Sequence, residues 1–501
     1  MVVKLRGRRK ISQRELADAA RGLHHQGAQM TDRHRSPSDP YTVHGYPPQR
    51  RSGPDNQVHL DEGYDDEAYE DEPRRRRVPG WLIALTVLLL LGVASVVGGH
   101  SYVTARGRAQ RERDMAEIRQ QSEVGNWAEA RSALDAHAAA LVRGDEAGWL
   151  AGVDPQQPGL RGYYQRLYAT LRGLGVTAWS YHVTVPPPTA YGRSELNPNV
   201  TVAYCLQTPA CPPYALGSHD VPQLSQRLTM ARRDGVYVIT ARQTSDSRGP
   251  QQPTPFEETV LTIRQGQRVT VAAAPGQQDR LPDVVAAADR AAAVVDRYAA
   301  ALDNPQQRYR IYLAGDRQWA TWFGGQRSRY AVGYATASGT VATEVVLKMS
   351  ALTDTDELAT AIQHELAHVV TLAGTDLRVH SVHGLHQWLI EGIAEYIAHG
   401  PRPVTGNQWA SLRRVGTAPS SLKLLPLPDN ASAQQAGRFY GLSHFAVNCM
   451  AATYGEAELL TFVDQVLRGT TTTDRGSRTA LGQPFDTVDR HCVNQLNRQL
   501  T

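Results

Sequence analysis

Lysine and cysteine are scarce in this sequence, and neither sign of charge prevails. Of its 501 residues, four are cysteines, and among the 53 basic residues only four are lysines. Four cysteines are too few for a small disulfide-rich scaffold. The 53 basic and 49 acidic residues leave a net charge of +4, so we predict no nucleic-acid partner. With 41% hydrophobic and 20% charged residues, the chain is not disordered throughout.

The first 80 residues are poor in apolar side chains and are predicted to be disordered. Pro- and Arg-rich stretches are followed by an acidic run at 61–72, which has eight carboxylates in twelve positions. Such like-charged blocks cannot bury enough apolar surface to offset the entropy of the chain. We expect a solvated cytoplasmic tail over 1–80, with a docking segment for a cytoplasmic partner as the alternative. The true start is Met1 or Met30.

A single long hydrophobic run occupies residues 81–98. Its eighteen residues carry no charge and as a helix would span about 27 Å, close to the ~30 Å hydrocarbon core of a bilayer. Four consecutive arginines at 74–77 precede it, and the arginines after it are less tightly clustered. We predict one transmembrane helix in the cell membrane, with a cytoplasmic N-terminus and an extracytoplasmic C-terminal domain; a buried core helix is the alternative. Residues 99–124 are expected to form a juxtamembrane helix or linker.

All four cysteines follow the predicted span, which bears on the orientation. An even number of cysteines on one side of a membrane fits two disulfides in an oxidising compartment. Three pairings are open, nearest-neighbour pairing is the simplest, and four buried free thiols are the alternative. Their spacing is not that of a zinc knuckle. The residues are Cys205, Cys211, Cys449 and Cys492.

Residues 125–244 predict a small α+β domain. Helical spacing of apolar residues runs through NWAEARSALDAHAAALVRGDEAGWL and LRGYYQRLYATLRGL, and alternating stretches such as TAWSYHVTV and GVYVITARQ follow. This order of elements resembles the nuclear-transport-factor-like domains of membrane-anchored bacterial proteins. The Pro- and Gln-rich segment 245–256 is predicted to be a linker, and 257–501 a second domain.

The segment TDTDELATAIQHELAHVVTLAG predicts an amphipathic helix that carries metal ligands. Asp354 and Glu357 fit a capping box at its start. His364 and His368 are four residues apart and project from one helical face, so both imidazoles can bind one Zn²⁺. Glu365 then lies beside the open coordination position.

The third ligand distinguishes the classes of zinc peptidase. A metzincin would have glycine at position 371 and histidine at 374, where this chain has Thr371 and Gly374, so that class is excluded. A second amphipathic helix, WLIEGIAEYIA, carries Glu391 and Glu395 among apolar residues. Glu391 can complete a site of two histidines and one glutamate, and Glu395 can accept the N–H of a ligand histidine.

Together, HELAH and WLIEGIAEY resemble the gluzincin metallopeptidases, specifically the peptidase MA-like family, over residues 257–501. The resemblance implies an α+β, thermolysin-like fold, in which a mixed sheet packs on the active-site helix and a helical lower lobe follows. It implies Zn²⁺ as the cofactor, and we expect the strand at 341–347 to be the sheet edge on which an extended peptide pairs. The implied roles are zinc ligand for His364, His368 and Glu391 and general base for Glu365.

Other residues near these motifs are weaker candidates. His380, His383 and His386 form a run before the second helix, where one of them is an alternative metal ligand. Downstream, RFYGLSHFAVNCMAATYG resembles the helix that follows the glutamate motif in the family. Tyr440 or His444 is a candidate donor to the oxyanion of a tetrahedral intermediate, with a buried structural tyrosine as the alternative.

The sequence therefore predicts a zinc metallopeptidase that hydrolyses a peptide or protein substrate outside the cytoplasmic membrane. The alternative is a non-catalytic, membrane-anchored scaffold that keeps a peptidase-derived zinc module for stability. The intact Glu365 favours the enzyme, because a structural zinc site does not need a carboxylate there.

The predicted orientation has a direct test. Protease added to intact cells or spheroplasts should digest residues beyond about 110 and spare the acidic tail, since only the C-terminal side faces the medium. Immunoblots against the two ends measure this. Protection of the C-terminal domain would contradict the orientation.

Overall fold

A computed structural model describes residues 106–115, 126–184, 195–207, 211–215, 220–244, 252–326, 328–340, 342–374, 383–469 and 471–501. The predicted tail at 1–80 and the predicted transmembrane helix at 81–98 lie outside these residues. Within the described residues, no helix is both long and apolar enough to cross a membrane.

The first folded region places its helices before its strands, as the sequence predicts. Residues 106–115 (α1) and 126–143 (α2) are helical, and α3 (Glu146–Ala151) and α4 (Pro158–Gly173) follow. The helical pattern that continues to residue 150 is broken at Gly144, whose φ of +81° lies in the left-handed region. One face of α2 is buried because its apolar residues recur three and four apart. They are Ala130, Leu134, Ala138 and Leu141.

Five antiparallel strands complete this region. The strands are β1 (Val176–Thr184), β2 (Glu195–Leu196), β3 (Asn199–Leu206), β4 (Gln223–Arg233) and β5 (Val236–Thr244). β1 pairs with β3, β3 and β2 both pair with β4, and β5 pairs with β4. A disulfide joins Cys205 at the end of β3 to Cys211. The α+β class of the region is confirmed, whereas the nuclear-transport-factor-like resemblance stays a prediction.

The second sheet is mixed and begins with a hairpin whose turn lies between residues 265 and 269. Its strands are β6 (Thr262–Gln265), β7 (Val269–Ala273), β8 (Tyr309–Ala314), β9 (Gly333–Ser338) and β10 (Ala342–Lys348), and the helices among them are α5 (Pro255–Glu258), α6 (Leu281–Ala301) and α7 (Asp316–Thr321). The strand order is β6-β7-β8-β10-β9. β7, β8 and β10 run parallel, and the two outer strands, β6 and β9, are antiparallel to their neighbours.

The prediction that the strand at 341–347 is the sheet edge is wrong. β10 lies between β8 and β9, and β9 is the edge strand on this side of the sheet. The consecutive Val345, Val346 and Leu347 are fully buried, which is typical of a strand covered on both faces. The edge strand has the small-residue sequence GYATAS, which lacks a strong apolar alternation and gives no strand signal.

Both faces of the mixed sheet are covered, and successive residues of a strand point to opposite sides. In β8, Ile311 and Leu313 pack against the helices of the second region. Tyr312 and Ala314 pack into a cluster with residues of the first region. The two folded regions therefore share a hydrophobic core through this sheet. Residues 252–256 take part in the contact, since Phe256 lies edge-on to Tyr204 with ring centroids 5.3 Å apart.

A helical lobe follows the sheet, in agreement with the predicted order. Its helices are α8 (Thr355–Leu372), α9 (His383–His399), α10 (Gly406–Val415), α11 (Ala433–Tyr454), α12 (Glu456–Val463), α13 (Thr473–Ala480) and α14 (Phe485–Leu500). A disulfide between Cys449 and Cys492 links α11 to α14. Nearest-neighbour pairing of the four cysteines is thereby confirmed. In the chain-entropy model a cross-link over a loop of this length stabilises the fold by about 4 kcal/mol.

A buried ion pair joins the first region to the mixed sheet. Arg310 on β8 donates to Glu344 on β10 through Nε, at 2.9 Å from Oε2, and through Nη2, at 2.8 Å from Oε1. Its Nη1 donates to the carbonyl of Leu206 at the end of β3, at 2.8 Å. Arg310 and Glu344 are 6% and 2% exposed. Because both charges are desolvated, each depends on the other.

Removing one partner of this pair should destabilise the protein. We expect Glu344→Gln to lower the free energy of unfolding by about 3–5 kcal/mol, because it leaves the Arg310 charge buried without a counter-ion. Denaturant unfolding of the purified protein measures the change. Arg478→Gln, which breaks the exposed pair with Asp474, is the control and should cost less than about 1 kcal/mol. Equal losses in the two variants would contradict the role of burial.

Candidate metal centre

Helix α8 holds both histidines of the HELAH motif. Asp354 accepts hydrogen bonds from the backbone N–H groups of Asp356 and Glu357 at the start of the helix, while the Glu357 side chain is exposed. At the other end, Gly374 has a φ of +85°, as expected of a glycine that ends a helix. Asn304 donates to the carbonyl of Val370 there. Both ends of α8 are therefore fixed.

Helix α9 crosses α8 and supplies the glutamates. Gln363 of α8 donates to the carbonyl of Ile397 near the C-terminal end of α9, at 2.7 Å. On its other side, α9 lies so close to α11 that a Cβ at Gly392 would be 2.5 Å from the carbonyl oxygen of Ser443. Only glycine allows this approach, which places the neighbouring Glu391 against α8.

Three predicted ligands converge where the two helices cross. Nε2 of His364 lies 3.1 Å from Nε2 of His368 and 3.3 Å from Oε2 of Glu391. Nε2 of His368 lies 3.5 Å from the same Oε2. Among the described residues, these three form the one group of histidine, cysteine or acidic side chains able to hold a metal ion.

The geometry of this group fits zinc. For zinc–ligand distances of about 2.0–2.1 Å, two ligand atoms of a tetrahedral site lie about 3.3–3.4 Å apart. The three separations among His364, His368 and Glu391 bracket that value. Two imidazoles and one carboxylate are a donor set found in catalytic zinc sites, where the fourth coordination position is open to water or substrate.

Glu395 fixes the orientation of His364, one of the predicted ligands. Its Oε1 lies 3.0 Å from Nδ1 of His364. Nε2, the other nitrogen of that ring, therefore faces His368 and Glu391. Oε2 of Glu395 lies 3.2 Å from Nε2 of His399 and accepts a hydrogen bond from Gln408 of α10. Such support from outside the ligand set orients ligand histidines in metalloproteins. Gln408 in turn contacts Nδ1 of His444 at 3.2 Å.

The buried carboxylates at this crossing are in different electrostatic states. Burial by itself raises the pKa of Glu391, but His368 and His364 outweigh it and lower the pKa to about 2. Burial likewise opposes ionisation of Glu395, and hydrogen bonds with His364 and His399 hold its pKa well below the ordinary value. Burial raises the pKa of Glu365 above its ordinary value. Glu391 and Glu395 thus remain charged, whereas Glu365 binds a proton more readily.

Glu365 lies at a cleft of about 600 Å³ beside the metal group. The residue is 6% exposed, and its Oε2 is buried without a hydrogen-bond partner among the described residues. Leaving a buried polar atom without a hydrogen-bond partner costs free energy. Such an unpaired atom is typical of a group that takes part in a reaction. Residues that line the cleft include Tyr330, Val332, Gly333, Leu352, Glu357, Ala361, His364, Glu365, Glu395, His399, Gln408 and Tyr440.

The weaker candidates fall in different places. Tyr440 lines the cleft, with its ring centroid 6.1 Å from that of His364. Burial raises the pKa of Tyr440 well above its ordinary value, so its hydroxyl is a neutral donor. His444 lies behind Glu395, next to Gln408. His386 is on α9 and is not one of the three clustered residues, whereas His380 lies outside the described residues.

Sequence reasoning missed three residues around the site. Gly333 of the edge strand lines the cleft, and nothing in the sequence marks it. Gln408 comes from a short helix that no motif identifies. His399 had a signal, since it follows Glu395 by four residues and so faces the same side of α9.

No protein-family model and no curated protein matches this chain. Three similar solved structures are M1 zinc metallopeptidases. A two-domain M1 zinc metallopeptidase mutant bound to L-arginine is 15% identical to this chain, with a TM-score of 0.27. The same mutant bound to L-tryptophan is 14% identical, with a TM-score of 0.25. The M1 zinc metallopeptidase from Deinococcus radiodurans is 14% identical, with a TM-score of 0.27. Each covers 53% of this chain, and this chain covers 58% of each. At this level the likeness assigns no residue and no activity.

If His364, His368 and Glu391 bind zinc, mutation of these residues and of their neighbours should change the zinc content. Glu391→Ala leaves two histidines, so the zinc content of the purified protein should fall far below one ion per chain. Glu395→Gln keeps the ligands and should weaken zinc binding by about 10–100-fold, the usual effect of an outer partner. Metal analysis after dialysis against a weak chelator measures both.

Glu357→Ala is the control for these variants, because it removes an exposed carboxylate from the same helix and should leave the zinc content unchanged. Full occupancy in Glu391→Ala would show that another residue, such as His386, is the third ligand.

Proposed function

We propose that this protein is a zinc-dependent metallopeptidase. The observation that carries the proposal is the convergence of His364, His368 and Glu391 beside the buried, unpaired Glu365. Three ligands leave an open position, and a carboxylate stands next to it at the wall of a cleft. This arrangement is the one required for metal-assisted hydrolysis.

Each residue has a distinct task in the proposed reaction. Zinc, when bound, polarises the scissile carbonyl and lowers the pKa of a water molecule towards ~7. Glu365 takes a proton from the attacking water on its carboxylate and passes it to the leaving amine. The pKa of Glu365 is raised by burial, which makes the carboxylate a better proton acceptor. Tyr440 is proposed to donate its hydroxyl hydrogen to the oxygen of the tetrahedral intermediate.

The cleft suits an extended peptide. Residues 330–332 and Gly333 at the start of β9 line the cleft, and β9 is the last strand in the order of the sheet. We propose that an extended peptide in the cleft pairs with the start of β9, beside Gly333, through backbone hydrogen bonds. This replaces the strand at 341–347 as the expected pairing edge.

We also propose that hydrolysis takes place outside the cytoplasmic membrane, on a domain anchored by a single helix at 81–98. Two disulfides, Cys205–Cys211 and Cys449–Cys492, support an oxidising compartment. The uncharged apolar run and the four arginines before it support the proposal of an anchor.

The alternative function is a scaffold that keeps its zinc for stability alone. A structural zinc site is normally closed by four protein ligands, whereas three converge here among the described residues. The buried Oε2 of Glu365 would also be a cost without a benefit in such a protein. Both observations favour the enzyme.

Glu365→Gln separates the two functions. The amide is nearly the same size and leaves all three ligands in place, but it cannot accept the proton from water. We expect zinc-dependent peptide hydrolysis to fall by about 10²–10⁴-fold, while zinc content and Tm hardly change. A quenched peptide library, assayed with and without chelator, provides the measurement.

Glu458→Gln is the matched control, because it makes the same change at an exposed position on α12 that does not line the cleft, and it should keep full activity. Equal rates in wild type and Glu365→Gln would show that Glu365 is not the base. Absence of hydrolysis in a zinc-loaded wild-type protein would favour the scaffold.

A further inference from the structure

Gly333, the first residue of the edge strand β9, lies closer to Glu365 than any side chain would permit. A Cβ built at this glycine would be 2.6 Å from Oε1, 2.7 Å from Cγ and 2.9 Å from the carboxyl carbon of Glu365. Carbon atoms in ordinary contact are about 3.5–4.0 Å apart. Every other residue at this position would displace the carboxylate.

Backbone conformation does not explain the glycine. Gly333 is not among the described glycines with positive φ, so an ordinary residue could adopt its backbone angles. What requires glycine here is the space taken by the Glu365 side chain.

Neither Gly333 nor the Glu365 side chain can easily move to increase the distance between them. Gly333 stands opposite Leu347 in the ladder between β9 and β10, and the N–H of Lys348 donates to the carbonyl of Val332 at 2.8 Å. Retreat of β9 would break these hydrogen bonds. Glu365 lies on α8, whose two ends are fixed, so its carboxylate could move away from β9 only by a change of rotamer that takes it out of its present position beside the predicted ligands.

The contact also explains what holds the base in place. Most buried carboxylates are fixed by hydrogen bonds, and Glu395 has contacts with His364, His399 and Gln408. Oε2 of Glu365 has no such partner among the described residues. Its carboxylate is confined by the backbone of β9 instead, which leaves Oε2 unpaired and able to accept a proton.

We propose that Gly333 is a positioning residue, whose missing side chain lets the edge strand hold the Glu365 carboxylate in its working place. The proposal rests on the role of Glu365 in the proposed function. It makes one strand serve two purposes, because β9 both bounds the substrate cleft and sets the position of the base.

The test is Gly333→Ala in the full chain. A displacement of about 1 Å can cost about 10²-fold in rate, so we expect kcat for peptide hydrolysis to fall by about that factor. KM and zinc content should hold, because neither the ligands nor the outer side of β9 is altered. An unchanged kcat in the folded variant would overturn the proposal.

Gly173→Ala is the matched control. Its new Cβ would meet Cδ1 of Ile263 at 2.8 Å, an overlap with a side chain that does not line the cleft. This variant should lower Tm but keep kcat. A loss of kcat in the control equal to that in Gly333→Ala would show that the effect is one of general destabilisation, and would also overturn the proposal.

A stability cycle with Glu365→Ala tests the contact without relying on activity. Truncation of Glu365 removes the overlap, so Gly333→Ala should lower Tm in the wild-type background and have little effect in the Glu365→Ala background. This holds even where Gly333→Ala alone fails to fold, since the double variant should then fold. Equal effects in both backgrounds would overturn the proposal.

The activity measurement and the stability cycle test different claims, so failure of the proposed function can be told apart from failure of this inference. If the zinc-loaded wild type hydrolyses no peptide, the proposed function fails, and the stability cycle still decides whether Gly333 confines Glu365.

Discussion

The rest of the structure depends on the burial of charged groups where α8 and α9 cross. Taking carboxylates and imidazoles out of water is costly unless they face one another. Here Glu391 lies against His364 and His368, and Glu395 lies against His364 and His399. The crossing must therefore be held accurately. The capped ends of α8 and the close approach of α9 to α11 at Gly392 provide this.

The mixed sheet connects the two folded regions to this crossing. Its inner face packs against the helical lobe, and its other face is covered by the first α+β region through a shared hydrophobic core and the Arg310–Glu344 pair. The first region thus stabilises the sheet, and the sheet places its edge strand over the cleft. A change at Glu344, which pairs with Thr336 of β9 in the ladder, can in this way affect the strand that confines Glu365.

The three glutamates differ because their neighbours differ. Glu391 and Glu395 each contact two histidines, which keep their pKa low. Glu365 has a backbone wall on one side and the cleft on the other, and burial raises its pKa. Two carboxylates that stay ionised and a third that exchanges a proton are what the proposed reaction requires.

The sequence by itself determined the local features of this protein. The spacing of His364 and His368, the apolar flanks of Glu391 and the glycine after α8 specify helices and their faces, because helical periodicity is a property of neighbouring residues. Tertiary structure alone decided which strand is the edge, that Gln408 reaches Glu395, and that His444 stands behind the site. It also decided why residue 333 is glycine. These depend on contacts between segments distant in the chain, and a local pattern carries no record of them.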